Sequence, residues 1–132
     1  MKNKYTGKVA ATVIRKGSEE RFLVAKRTDI DKWEFPGGKH EKGESLKETA
    51  EREIAEELKL GVEASEVANN SSYMTGQWEI IPVFAKPSVE NPDNELELTE
   101  HSEIKWINPN KLYQYDLNLG DEKKCLEAFD LL

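Results

Sequence analysis

Short runs of apolar and β-branched residues, separated by turn-forming stretches, predict a succession of strands with helices between them. Val9 to Ile14 forms one such run and Phe22 to Ala25 a second, and Lys16-Gly17-Ser18 between them carries turn chemistry, so the pair reads as a hairpin. From Thr28 to Gly43 the periodicity vanishes while Pro36, Gly37, Gly38 and Gly43 accumulate. This marks a long loop, and long loops inside compact domains are often functional. From Ser45 to Leu58 the pattern becomes helical, with Leu46, Ala50, Ile54 and Leu58 recurring every fourth residue as an apolar stripe. Ser45 can cap the first turn while Glu48 reaches back, the capping-box arrangement. Further strands are expected at Trp78 to Phe84, where Pro82 predicts an edge position or a bulge, and at Ile104 to Ile107. Ser88 to Asn94 reads as a surface loop. Asp121 to Leu132 reads as a closing helix with Cys125, Leu126, Phe129 and Leu132 facing inward.

The 132 residues suit one domain over residues 1–132, long enough to bury a real core. No stretch approaches the roughly 20 consecutive apolar residues of a membrane-spanning helix. The basic start, Met1 to Tyr5, leads into a strand-like run without the apolar segment of an export signal. A cytoplasmic protein with no membrane partner is expected. The one cysteine, Cys125, can form no internal disulfide and reads as a small core hydrophobe. A net charge of −7 without a basic block argues against a nucleic-acid polymer as partner, since such binding rests on Lys and Arg neutralising phosphates. A small partner is expected instead, to a monomer or a homodimer. An acidic chain can still hold a polyphosphate if divalent cations bridge its carboxylates to phosphate oxygens.

The acidic residues that matter for this are clustered. Glu53, Glu56 and Glu57 stand at i, i+3 and i+4 on the expected helix, within an arc of roughly 100°. Like charges at this spacing repel, so either water screens them or a cation sits among them, and hard oxygen ligands suit Mg²⁺ or Mn²⁺. The plain alternative is a solvated acidic face. Against it, the carboxylate arc overlaps the edge of the apolar stripe, with Glu57 nearest to it, and the preceding loop holds Gly37, Gly38 and Gly43. Missing Cβ atoms there permit unusual backbone angles and the close approach of a phosphate or a metal.

These residues also carry a resemblance. Gly38, Glu44, Arg52, Glu53, Ile54, Glu56, Glu57 and Leu60 match the pattern G-x5-E-x7-R-E-U-x-E-E-x-G-U, so the chain resembles the Nudix hydrolases. Lys59 alone departs, standing where the pattern has its second glycine; Gly61 is expected to end the helix in its place. Trp33-Glu34-Phe35-Pro36-Gly37-Gly38-Lys39 is similar to the approach segment of the MutT-type members. The resemblance implies an α/β (α+β) Nudix fold, a mixed central β-sheet between helices with a metal-holding loop-helix-loop. It implies a Mg²⁺-dependent (Mn²⁺ possible) nucleoside triphosphate pyrophosphohydrolase that releases a nucleoside monophosphate and diphosphate.

By the same resemblance Glu56 and Glu57 would be metal ligands, Glu53 a ligand or general base, and the Gly37 carbonyl a further ligand. Arg52 would orient Glu53, and Glu44 would tie the loop to the helix. Lys39 would contact phosphate or remain a solvated loop lysine, and Glu100 would be an extra metal-binding or base glutamate unless it is merely solvated. His40 and His101 read as surface histidines, and neither pairs with a nucleophilic Ser or Cys in a recognisable motif. For the substrate pocket the candidates are Arg27, Phe35, Tyr73 and Asp121, the last either a base reader or a helix cap. Leading substrates are 8-oxo-dGTP and cytidine-type nucleotides. The alternatives are an ADP-sugar or dinucleotide hydrolase, and a catalytically silent nucleotide-binding regulator, which should have lost a box carboxylate.

Overall fold

Val9 to Ile14 is apolar at nearly every position because both faces of its strand are covered. The computed structural model describes residues 7–118 and 122–132, and β1 spans Gly7–Ile14. Alternate residues point to opposite sides, so Ala11 and Val13 enter one core cluster while Ala10 and Ile14 enter the other side's. The next strand, β2 (Phe22–Arg27), divides in the same way: Phe22 and Val24 join the first cluster, Leu23 and Ala25 the second.

These two strands do not form the expected hairpin ladder. A turn with Gly17 at φ 56° does connect them, but the pairing stops at the Arg15 to Phe22 bridge and the adjoining Lys16 N–H, which donates to the Arg21 carbonyl at 2.9 Å. Both edges of β1 are already occupied, by β4 (Gly37–Lys39) antiparallel and by β7 (Trp78–Pro87) parallel. β2 instead lies between β3 (Trp33–Glu34) and β8 (His101–Ile107) in a separate three-stranded antiparallel sheet. The two strands therefore pack side chain to side chain. The expected long loop from Thr28 to Gly43 is likewise shared out, since β3 and β4 lie within it and belong to different sheets.

The larger sheet is mixed, in the order β4-β1-β7-β5, with β5 (Val62–Val67) and β6 (Tyr73–Thr75) both pairing with β7. Strand β7 is thus central, where a proline should cost a ladder hydrogen bond. Pro82 escapes this because β6 pairs with β7 only as far as Ile80, and β5 begins at Val83. Its carbonyl accepts from Ala68 N–H at 2.9 Å on that same side, so the missing N–H falls in the gap between two partners.

Helix α1 (Leu46–Leu58) starts as expected: the Ser45 hydroxyl accepts from Glu48 N–H, and the Glu48 carboxylate accepts from Ser45 N–H. Ala50, Ile54 and Leu58 are fully buried, which sets α1 on the face of the large sheet that Ala10 and Ile14 present. On the opposite face lies α2 (Lys123–Glu127), which buries Cys125 and Leu126. This closing helix is shorter than expected. Asp130 adopts φ 56° and sends Leu131 toward the core, so Leu132 is 57% exposed and does not face inward. Asp121 lies outside the described residues. Among those described, no helix is long and apolar enough to cross a membrane.

Lys59, and not Gly61, ends α1. It adopts φ 55°, ψ 32°, and its N–H donates to the Ala55 carbonyl at 3.1 Å, while Gly61 is not among the residues with positive φ. A side chain in this conformation costs about 1–2 kcal/mol, part of which glycine would return through its freer unfolded chain. Lys59→Gly is therefore expected to stabilise the protein by about 0.5–1 kcal/mol, a rise of about 2–4 °C in Tm. Thermal denaturation of the variant measures this, and a lower Tm would contradict the cap.

Candidate active site

Arg52 joins the glycine loop to the helix. Its Nε and Nη2 donate to the two Glu44 oxygens at 3.0 and 2.8 Å, Nη2 also donates to the Lys39 carbonyl at 3.0 Å, and Nη1 donates to Glu53 Oε1 at 2.8 Å. Glu56 Oε2 stands 3.4 Å from the same Nη1. Glu44 also accepts from the Thr49 hydroxyl at 2.7 Å and the Glu41 N–H at 3.0 Å. With Arg52 as the main cause and Thr49 next, its carboxyl is held down to about 2. His40 is half-buried and not a surface group; its Nε2 donates to the Glu44 carbonyl at 2.6 Å.

The glycines serve by their smallness. A Cβ on Gly37 would run into the Ala10 carbonyl of the neighbouring strand, and one on Gly38 into the Glu53 carboxylate. Neither has positive φ; of the three loop glycines only Gly43, at 93°, needs the left-handed region.

Helix α1 brings Glu53, Glu56 and Glu57 along one side, and the segment before β8 brings Glu100 to meet them. Glu57 is 7% exposed, and its Oε2 has no hydrogen-bond partner among the described residues. Burial first, then the charges of Glu34, Glu100 and Glu53, push its carboxyl up to about 9. Glu53 is also raised, by burial first, with Glu56 and Glu100 adding to this and Arg52 opposing it. Glu56 is more open, with 59% of its side chain exposed. Among the described residues no three acidic, imidazole or thiol groups are gathered as a finished cation cage. The donors nonetheless suit a hard divalent cation: all are carboxylates, and one buried oxygen has no hydrogen-bond partner among the described residues.

A cleft of about 590 Å³ opens beside Glu57, walled by β1, β4 and β7 on one side and by the ends of β2 and β3 on the other. Gly37, Lys39, Glu100, Arg27, Phe35 and Tyr73 all line it. Lys39 Nζ sits 4.7 Å from the centre of the Trp78 ring. Arg27 is engaged by Asp29, through Nε at 2.8 Å and Nη2 at 2.6 Å, with Glu34 at 3.6 Å from Nη1. The Tyr73 hydroxyl reaches Cys125 Sγ at 3.6 Å, and burial pushes that thiol up to about 12. Cys125 is an inert part of the wall.

Three cleft residues were not legible as such. His101, expected at the surface, is 3% exposed, with Nε2 2.9 Å from Glu34 Oε2. The register between β2 and β8 shifts at Lys26/Arg27, and this bulge turns His101 inward against the alternation. Glu34 also accepts from Asn118 Nδ2 at 3.0 Å. Nothing in the periodicity pointed to Glu34 or Asn118, because a two-residue strand and an irregular connection carry none.

Residues 6–129 match the NUDIX domain family, and the chain belongs to that family. It is an enzyme that hydrolyses diphosphate bonds, and nucleotides are the substrates of its kind. It is 32% identical to the CTP pyrophosphohydrolase of Escherichia coli (strain K12) over 126 residues, 92% of this chain and 88% of that protein. It is 31% identical over 102 residues to a Bacillus subtilis (strain 168) protein that carries the provisional name 8-oxo-dGTP diphosphatase, covering 77% of this chain and 67% of that one. Among solved structures, the MutT protein from Methanosarcina mazei Go1 superposes with a TM-score of 0.74 over 98% of this chain and 96% of its own, at 23% identity, and so supports the fold.

A carboxyl pushed up on folding stabilises the fold fully below its ordinary value of 4.5, and this contribution is lost as the pH rises through about 9. In excess chelator the Tm is therefore expected to fall between pH 5 and pH 9. Glu57→Gln, which cannot ionise, should flatten the fall and raise the Tm at pH 9. Denaturation curves at three pH values check this, and equal slopes for the two proteins would refute the cause.

Proposed function

We propose that this protein is a Mg²⁺-dependent nucleoside triphosphate pyrophosphohydrolase that adds water across a phosphoanhydride bond and releases a nucleoside monophosphate and diphosphate. The observation that carries this reading is Glu57: a buried carboxyl, crowded by Glu34, Glu53 and Glu100, at the edge of a cleft large enough for a nucleotide. Such crowding suits a positive occupant. Glu53, Glu56, Glu57, Glu100 and the Gly37 carbonyl would hold Mg²⁺ or Mn²⁺. The cation would supply charge stabilisation at phosphorus and on the departing diphosphate.

The chain's own groups do the rest. Glu53, fixed through Oε1 by Arg52, accepts the proton of the attacking water. Glu44 holds Arg52 in place and thereby holds the loop. Lys39, at the cleft wall beside Trp78, steadies the negative phosphates. Phe35 and Tyr73 give the apolar surface for the base, and Arg27 and Asp121 its polar contacts. A cytidine-type nucleotide leads over 8-oxo-dGTP. An ionised Asp121 only accepts hydrogen bonds and suits an exocyclic amine, and the CTP-hydrolysing relative is matched over nearly its whole length.

The test is a panel of nucleoside triphosphates, 8-oxo-dGTP, ADP-ribose and dinucleotides with Mg²⁺, scored by product and kcat/KM. A triphosphate should lead, giving monophosphate and diphosphate. Excess chelator should abolish turnover, and Glu57→Gln should lower kcat by about 10²-fold or more while the protein stays folded. Preference for ADP-ribose or a dinucleotide would transfer the assignment to that class, and absence of turnover on every substrate would favour a nucleotide-binding regulator.

A further inference from the structure

The segment carrying Glu100 has little structure of its own. From Ser88 to Glu100 it makes one 3-10 turn, Pro92–Asn94, and Leu96 packs against the core that covers α1. Beyond Leu96 the anchor is the end of the helix. A helix leaves its last carbonyls without intrahelical partners, and these must be met from elsewhere. Here the Leu58 carbonyl accepts from Glu97 N–H at 2.9 Å, and the Glu57 carbonyl accepts from the Thr99 hydroxyl at 2.8 Å. On its other side the Glu100 carbonyl accepts from Thr28, through N–H at 3.2 Å and the hydroxyl at 3.1 Å.

Thr99, whose hydroxyl meets a free carbonyl in the last turn of α1, thus stands next to Glu100 in the chain. Glu57, Thr99 and Glu100 line the same cleft, and the Thr99 hydroxyl ties the backbone beside Glu100 to the carbonyl of Glu57. We propose that Thr99 is a positioning residue of the cation site, its hydroxyl setting how far apart the Glu57 and Glu100 carboxylates stand. The inference rests on the cation site proposed above. A plain helix cap would contribute stability alone. A positioning residue would change what the two acids can hold, because oxygen ligands must be presented together at fixed spacing.

The experiment is a Mn²⁺ titration of the full chain, with free ion followed by electron paramagnetic resonance. It is run on the wild type, Thr99→Val, Thr99→Ser, Glu100→Gln and the Thr99→Val/Glu100→Gln double variant. Amide hydrogen exchange at Glu97 and Thr28 is measured on the same proteins without metal. Thr99→Val should weaken Mn²⁺ binding about tenfold, Thr99→Ser should restore it, and the valine should have little further effect once Glu100 is removed. Exchange at both amides should quicken in Thr99→Val. A lower Tm with unchanged Mn²⁺ affinity would reduce Thr99 to a cap and overturn the proposal while leaving the cation site standing. A wild type that bound no Mn²⁺ would remove the cation site itself, and the role of Thr99 with it.

Discussion

One guanidinium holds the site together. Arg52 extends from α1 and receives both oxygens of Glu44, the carbonyl of Lys39 and one oxygen of Glu53, so the glycine loop and the helix are joined through a single planar group. Lysine could not replace it, since the fork geometry lets one cation meet a carboxylate with two bonds and still reach two further acceptors. Glu44, which receives the full fork, is held as an anion, and at Glu53 the guanidinium opposes the upward push of burial. Glu53 keeps one oxygen tied down, which fixes the direction of the rest of the carboxylate against Gly38, where no side chain intervenes.

That arrangement needs a rigid floor, and the alternation of β1 and β2 supplies it. Each strand sends neighbouring side chains into separate core clusters, so the larger sheet carries α1 on one face and α2 on the other. The cleft opens where β4 adds to the edge of β1 and the smaller sheet approaches. Gly37 and Gly38 lie in that added strand, paired with Ala11 and Ala10. The loop backbone is thereby part of a ladder, and its closeness to Glu53 follows from hydrogen-bond register more than from loop flexibility.

Much of this was legible in the order of residues. Period-four apolar spacing and a capping box place α1 to within a residue, and the three glutamates on one arc point to the candidate site. What could not be read depended on contacts between distant segments. The turn at Gly17 looked like a hairpin because turn chemistry is local, whereas the choice of edge partner is made by β4 and β7. Pro82 signalled a break in pairing correctly, but the break is on one side of a central strand and not at the sheet's edge. His101 was lost to a bulge, which reverses the inside and outside of every residue beyond it. Lys59 takes the place expected of Gly61 because glycine is only the easiest residue to hold left-handed, and the helix ends where its partners end.

The charge pattern left by Arg52 is uneven, and the unevenness has a direction. Glu44, with the full fork and a threonine, is held down to about 2; Glu57, four positions past Glu53 and out of reach of that fork, is pushed up to about 9. A fold built for stability alone would place an amide or an apolar side chain at position 57, since a buried acid among acids gains nothing from its charge. Retaining it makes sense if its proton is exchanged for a cation. Binding and deprotonation are then linked: whatever stabilises the anionic form of Glu57 draws the occupant in, and the occupant in turn displaces the proton. The repulsion is met by a proton while the site is empty and would be met by the cation once it is loaded, so binding would release that proton and strengthen as the pH rises, while Arg52 offsets the charge of the carboxylates on which the loop itself depends.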